Sequence, residues 1–186
     1  MDMLNDALAE LGRTRAELLA TISGLDEAAL DRKGVIGEWS IKNVLAHIAA
    51  WEAWVVEALP ARMATGATPH DFRQRAQDED RFNAEEVAER EELTPDEQLM
   101  ELDRTRAELL VYLRGLDAGA LERKHPWDTW PGTLPEYLLA ALGDHESEHV
   151  EDLRTAAVLV RQRQPCNSKR RIWLMHMFDR MRRRTV

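Results

Sequence analysis

The feature that most constrains the fold is an internal repeat. Arg13-Thr14-Arg15-Ala16-Glu17-Leu18-Leu19 recurs unchanged as Arg104-Thr105-Arg106-Ala107-Glu108-Leu109-Leu110. At the same offset Gly24-Leu25-Asp26 matches Gly115-Leu116-Asp117, Leu30 matches Leu121, and Arg32-Lys33 matches Arg123-Lys124. Seven identical residues followed by further matches in register indicate a duplicated unit. Each half reads as a helix, a linker containing Trp and a second helix. Two such hairpins related by a pseudo-two-fold predict an all-α four-helix bundle with a long middle connection over residues 60–94.

The boundaries follow from local chemistry. Leu4, Leu8, Leu11, Leu18, Leu19 and Ile22 recur at helical spacing before Gly24, which places the first helix over about 3–22. Ser40 is the expected N-cap of the second helix, which runs through Val44, His47, Ile48, Trp51 and Val55 to about Leu59, where Pro60 should stop it. Asp78 to Arg90 is expected to be helical and mostly solvated. Thr94-Pro95-Asp96-Glu97 combines an N-cap, a proline at the first helical position and a capping-box acid. The helix it opens should end at Gly115. A segment containing Trp127 and Trp130 leads to Thr133 and the last core helix, expected to reach about Val160.

Charge divides the chain. Residues 161–186 hold nine Arg and Lys against Asp179 alone, a surplus of eight positive charges in a chain whose net charge is −9, so the first 160 residues stand at −17. Such an acidic body repels phosphate backbones, which excludes nucleic-acid binding through it. We expect residues 1–162 to form the bundle and to fold without residues 163–186, a basic amphipathic C-terminal tail. That tail places Ile172, Trp173, Leu174, Met175, Met177 and Phe178 between basic clusters. Docking on the acidic face of the body or of a second copy, giving a homodimer, is expected over binding to a membrane. No apolar run approaches the roughly 20 residues of a membrane span, and the N-terminus lacks a signal-peptide layout. With a single cysteine, Cys166, taken as incidental, the expected location is the cytoplasm.

Chemistry concentrates in three histidines. His145 and His149 lie four residues apart in the last helix and fall into its apolar row, so both imidazoles share a face directed at the core. His47 lies on the apolar side of the second helix with Val44, Trp51 and Trp54. Three inward imidazoles from two helices match a three-ligand, open-position site for a divalent transition metal, zinc or nickel first. The alternative is three buried, hydrogen-bonded histidines. Asp152, two turns beyond His145, is the candidate for orienting His149 or assisting a bound water. Asp144, Glu146 and Glu148 are expected on a solvated face, and Glu38 and Glu52 as surface charge. Trp39, Trp51, Trp54, Trp127 and Trp130 either pack the core and loops or wall an apolar substrate cavity.

The stretch Gly37-Glu38-Trp39-Ser40-Ile41-Lys42-Asn43-Val44-Leu45-Ala46-His47, followed about a hundred residues later by His145 and His149, resembles the DinB-like superfamily. The resemblance covers about residues 1–160 and implies a four-helix bundle with a metal on His47, His145 and His149. Arg81-Phe82-Asn83-Ala84 and the Glu148-His149 ending are similar to the ClbS/DfsB branch, which includes a self-protection hydrolase. The resemblance implies a metal-dependent small-molecule hydrolase or thiol transferase, with self-protection (detoxification) by hydrolysis or sequestration preferred. A non-catalytic ligand-binding or dimerising bundle with structural histidines is the alternative.

Overall fold

A computed structural model describes residues 3–124 and 132–162. His125, Trp127, Trp130, Cys166, His176 and the basic tail lie outside the described residues. The chain forms α1 (Met3–Ile22), α2 (Glu27–Leu30), α3 (Ile41–Thr65), α4 (His70–Arg75), α5 (Glu79–Glu89), α6 (Pro95–Arg114), α7 (Ala118–Glu122), α8 (Leu134–Leu138), a π-helical turn (Leu139–Asp144) and α9 (His145–Arg161). α8, the π turn and α9 follow one another without a break as the last core helix.

The four long helices form a bundle whose duplication extends into its linkers. α2 and α7 occupy the same place in the two halves, each capped by an aspartate: Asp26 accepts from Ala29 N–H at 2.9 Å and Asp117 from Ala120 N–H at 2.8 Å. Each long helix packs most closely on one from the other half, α1 on α9 and α3 on α6. The expected caps hold. Ser40 and Asn43 form one capping box, Thr94 and Glu97 a second, and Thr133 and Glu136 a third.

α3 does not stop at Pro60, as the sequence suggests; it continues to Thr65 and ends at Gly66, whose φ of 78° is the left-handed cap that glycine adopts without strain. Pro60 removes one backbone donor, but Leu59 before it and Arg62 after it are both buried, and Arg62 donates to Tyr137 Oη at 2.6 Å. Tertiary packing therefore overrides the local break. Contrary to the expectation that no segment approaches a membrane span, α3 is long and apolar enough by length and composition, yet most of that window is buried inside the bundle.

The core is divided by a layer of charge. One apolar cluster gathers Leu18, Ile22, Leu45, Leu102, Leu153 and Val160; the other gathers Leu11, Val55, Leu59, Leu109, Leu138 and Leu142. Between them lie Arg15 of α1, Glu52 of α3, Arg106 of α6 and Glu146 of α9, with Thr14 and Thr105. Arg15 Nε and Arg106 Nε donate to Glu146 and Glu52 respectively. Arg15 Nη2 crosses to Glu52 at 2.8 Å and Arg106 Nη2 to Glu146 at 3.5 Å. The threonine hydroxyls donate to the same carboxylates, Thr14 to Glu146 at 2.9 Å and Thr105 to Glu52 at 3.0 Å. The remaining guanidinium nitrogens reach across the duplication, Arg15 to Leu102 C=O and Arg106 to Leu11 C=O, both at 2.8 Å. The pseudo-two-fold maps this network onto itself.

Glu52 and Glu146 are thus each 1% exposed and are not the surface charges expected from sequence. Burial alone would favour their neutral form, but the Arg106 and Arg15 guanidiniums prevail and hold the Glu52 carboxyl down at about 2. Asp144, Glu148 and Glu38 do lie on the solvated surface.

Two outcomes test this account. Glu52→Ala leaves the buried Arg15 guanidinium and the partly buried Arg106 guanidinium short of a partner and should lose about 3–5 kcal/mol in urea denaturation, whereas exposed Glu38→Ala should stay within about 0.5 kcal/mol of the parent. Thr94→Ala removes a capping box and should cost about 1 kcal/mol, seen as a Tm lowered by a few degrees.

Candidate metal centre

The site lies beside the charged layer, where α3, α5 and α9 meet. α3 supplies His47, five residues before Glu52, and α9 supplies His145 and His149 on either side of Glu146. The buried stripe of α9 runs through Glu146, Val150, Leu153, Ala157 and Val160. Both α9 histidines therefore sit at the edge of that stripe and are half-buried rather than inside it. The π turn accounts for the displacement from the expected row. It closes five residues apart instead of four, so apolar positions before and after it are offset by about one residue. Leu134, Tyr137 and Leu138 stay in the core on one side of the turn, and Glu146 enters it on the other.

The three imidazoles converge. His47 Nε2 lies 2.9 Å from His145 Nε2, and His149 Nε2 lies 3.2 Å from the same atom. The ring centroids are nearly equidistant, 4.9 Å for His47 to His145 and 4.8 Å for the other two pairs. One ligand atom from each residue falls within 4.8 Å of the others, the spacing a single metal ion requires. Burial, then the neighbouring imidazoles, push His47 down to about 3; burial, then His149, push His145 down to about 4. Burial also lowers His149, against the raising influence of Asp152 and Glu148. Each of these shifts favours the neutral imidazole. A neutral imidazole has one donor and one acceptor nitrogen, so three Nε2 atoms aimed at one point cannot all be satisfied by one another. A shared cation satisfies all three lone pairs, and the donor set fits a divalent transition metal.

The surroundings are aromatic. Trp39 packs on His47 with centroids 5.3 Å apart, and Trp51 faces His145 at 6.4 Å. His47 Nδ1 is buried with no close hydrogen-bond partner among the described residues, and packing on Trp39 together with the neighbouring Asn83 amide orients this ring. Asp152, the expected orienting carboxylate, is exposed; it acts on His149 through its charge, and no hydrogen bond joins it to a histidine among the described residues. His70 is exposed and outside the cluster. Sequence reasoning quoted Asn83 of α5 only within the Arg81-Phe82-Asn83-Ala84 likeness and gave it no role at the site; its amide lies against His47 and accepts from Trp51 Nε1 at 2.9 Å. Its neighbour Phe82 is 2% exposed and packs tilted on Trp51 with centroids 4.5 Å apart, which holds Asn83 in place.

The depressed histidines have a consequence for acid stability. Their pKa values are lower folded than unfolded, so the unfolded chain binds protons first, and stability present above about pH 6.5 is lost as pH falls toward 4. Glu52 adds its loss only below about 4.5. Metal-free protein should therefore show a denaturation midpoint that declines between pH 7 and pH 5, and His145→Asn should flatten the decline. A midpoint constant over that range would contradict the assignment of neutral, buried imidazoles.

No curated protein and no solved structure matches this chain. A family model does match, over residues 10–153, and the chain belongs to the DinB superfamily.

Proposed function

We propose that the protein is a metal-dependent enzyme acting on a small molecule, a hydrolase or thiol transferase in which His47, His145 and His149 hold one divalent transition metal, zinc or nickel. The convergence of three neutral Nε2 atoms on one point carries this reading. Such an ion acidifies water or a thiol and polarises a carbonyl. The chain's own contribution is to hold three imidazoles from two helices without charge and to leave one side of the cluster reachable, because His145 and His149 are half-buried. Trp39 and Trp51 supply apolar walls that suit a partly apolar substrate. Self-protection against a reactive small molecule is the role we favour within this class, on the likeness of Arg81-Phe82-Asn83-Ala84 to the ClbS/DfsB branch.

Protein purified without a metal-affinity tag should contain up to one equivalent of a transition metal by elemental analysis. His145→Ala should lose it, and full retention in that variant would sink the proposed site. Binding should weaken below about pH 6, because protons compete for the imidazoles.

A further inference from the structure

α5 does more than cover α3. Phe82 anchors it on Trp51, and its end is tied down by Arg90, which donates to Glu86 of α5 at 2.7 Å and to Glu101 of α6 at 3.1 Å. Asn83 is thereby held at the rim of the histidine cluster, against His47 and against Trp51, which itself faces His145. Its orientation follows from chemistry. An indole N–H can only donate, so the amide oxygen must be the atom that meets Trp51 Nε1, and the amide NH2 is turned away from that ring. Asn83 also interacts with His47 in a way that favours the protonated ring, as an accepting amide oxygen does, so that contact does not use the NH2. The NH2 has no acceptor among the described side chains, and Asn83 is only half-buried. The nearby charges do not compete for it: Arg75 and Glu86 are paired with each other at 2.6 Å. The site thus presents a fixed, neutral, unspent pair of donors beside three imidazoles and two indoles.

We infer that Asn83 is the ligand-recognition residue of this centre, donating its amide hydrogens to an acceptor oxygen, a carbonyl or carboxylate, of the molecule that enters beside the histidines. This rests on the metal-site reading above and adds to it a substrate class. Ligands that carry an acceptor oxygen next to the atom approaching the metal are selected over ligands that have none, and the Trp51 N–H is the device that keeps the amide facing the right way.

The test uses the full chain loaded with Co(II), its visible spectrum titrated with acetate, which offers a free carboxylate oxygen, and with imidazole, which offers no acceptor beside its coordinating nitrogen. Asn83→Leu should weaken acetate binding about tenfold or more, the worth of a hydrogen bond to a charged acceptor, and leave imidazole affinity within about twofold. Asn83→Ala, which removes bulk as well, guards against a packing effect of Leu and should behave alike. Trp51→Phe should weaken acetate binding by a smaller factor, since it releases the amide orientation without removing the donor. Unchanged acetate affinity in both Asn83 variants at full cobalt content would overturn the recognition role while leaving the metal site standing. Equal losses for acetate and imidazole would also overturn it, by showing a general disturbance of the centre. Failure of the parent protein to take up cobalt would overturn the metal reading, and this inference with it.

Discussion

The interaction on which the bundle depends is the buried exchange of charge among Arg15, Glu52, Arg106 and Glu146. Four ionised groups removed from water would cost several kcal/mol each if left unpaired. Here two carboxylates meet two guanidiniums, and two threonine hydroxyls and two backbone carbonyls take up further hydrogen-bonding capacity. A network of this kind tolerates no slip in register. Moving any one helix by a residue would strand a charge between two apolar clusters, so the layer fixes the height of all four helices relative to one another.

That constraint accounts for the Thr-Arg pair at the centre of each copy of the seven-residue repeat, Thr14-Arg15 and Thr105-Arg106, whose side chains build the layer. Glu52 and Glu146 play equivalent parts under the pseudo-two-fold. The residue before each of them is different: Trp51 in one half, His145 in the other. The symmetric layer thus serves as a frame on which an asymmetric site is mounted, with one half giving an indole wall and the other an imidazole. Because Glu146 is locked into the layer, the neighbouring His145 is held at the edge of the core, facing His47, and the π turn before it absorbs the change of register.

The covering helix α5 completes the site from outside the duplicated frame. It belongs to the long connection between the halves, and Phe82 and Asn83 are its contributions to the aromatic and polar surroundings of the histidines. A segment that the repeat leaves free to vary is a suitable place for determinants of specificity, since changes there do not disturb the charged layer.

Much of this was legible from residues alone. The duplication required two equivalent hairpins, Thr94-Pro95-Asp96-Glu97 and Ser40 fixed where helices begin because capping is a local matter, and four-residue spacing put His145 and His149 on one face. Local chemistry could not decide whether Pro60 ends a helix, since the burial of Leu59 and Arg62 that carries α3 past it comes from other helices. It could not place Glu52 and Glu146 either: a carboxylate in an apolar row reads as surface charge until its guanidinium partners, more than thirty residues away, are seen to enter the same layer. The approach of His47 to His145, and the presence of Asn83 beside both His47 and Trp51, are likewise distances between helices. Periodicity determines which face of each helix is apolar; only the packing of the four helices and α5, governed by charge pairing at their centre, determines which of those faces meet.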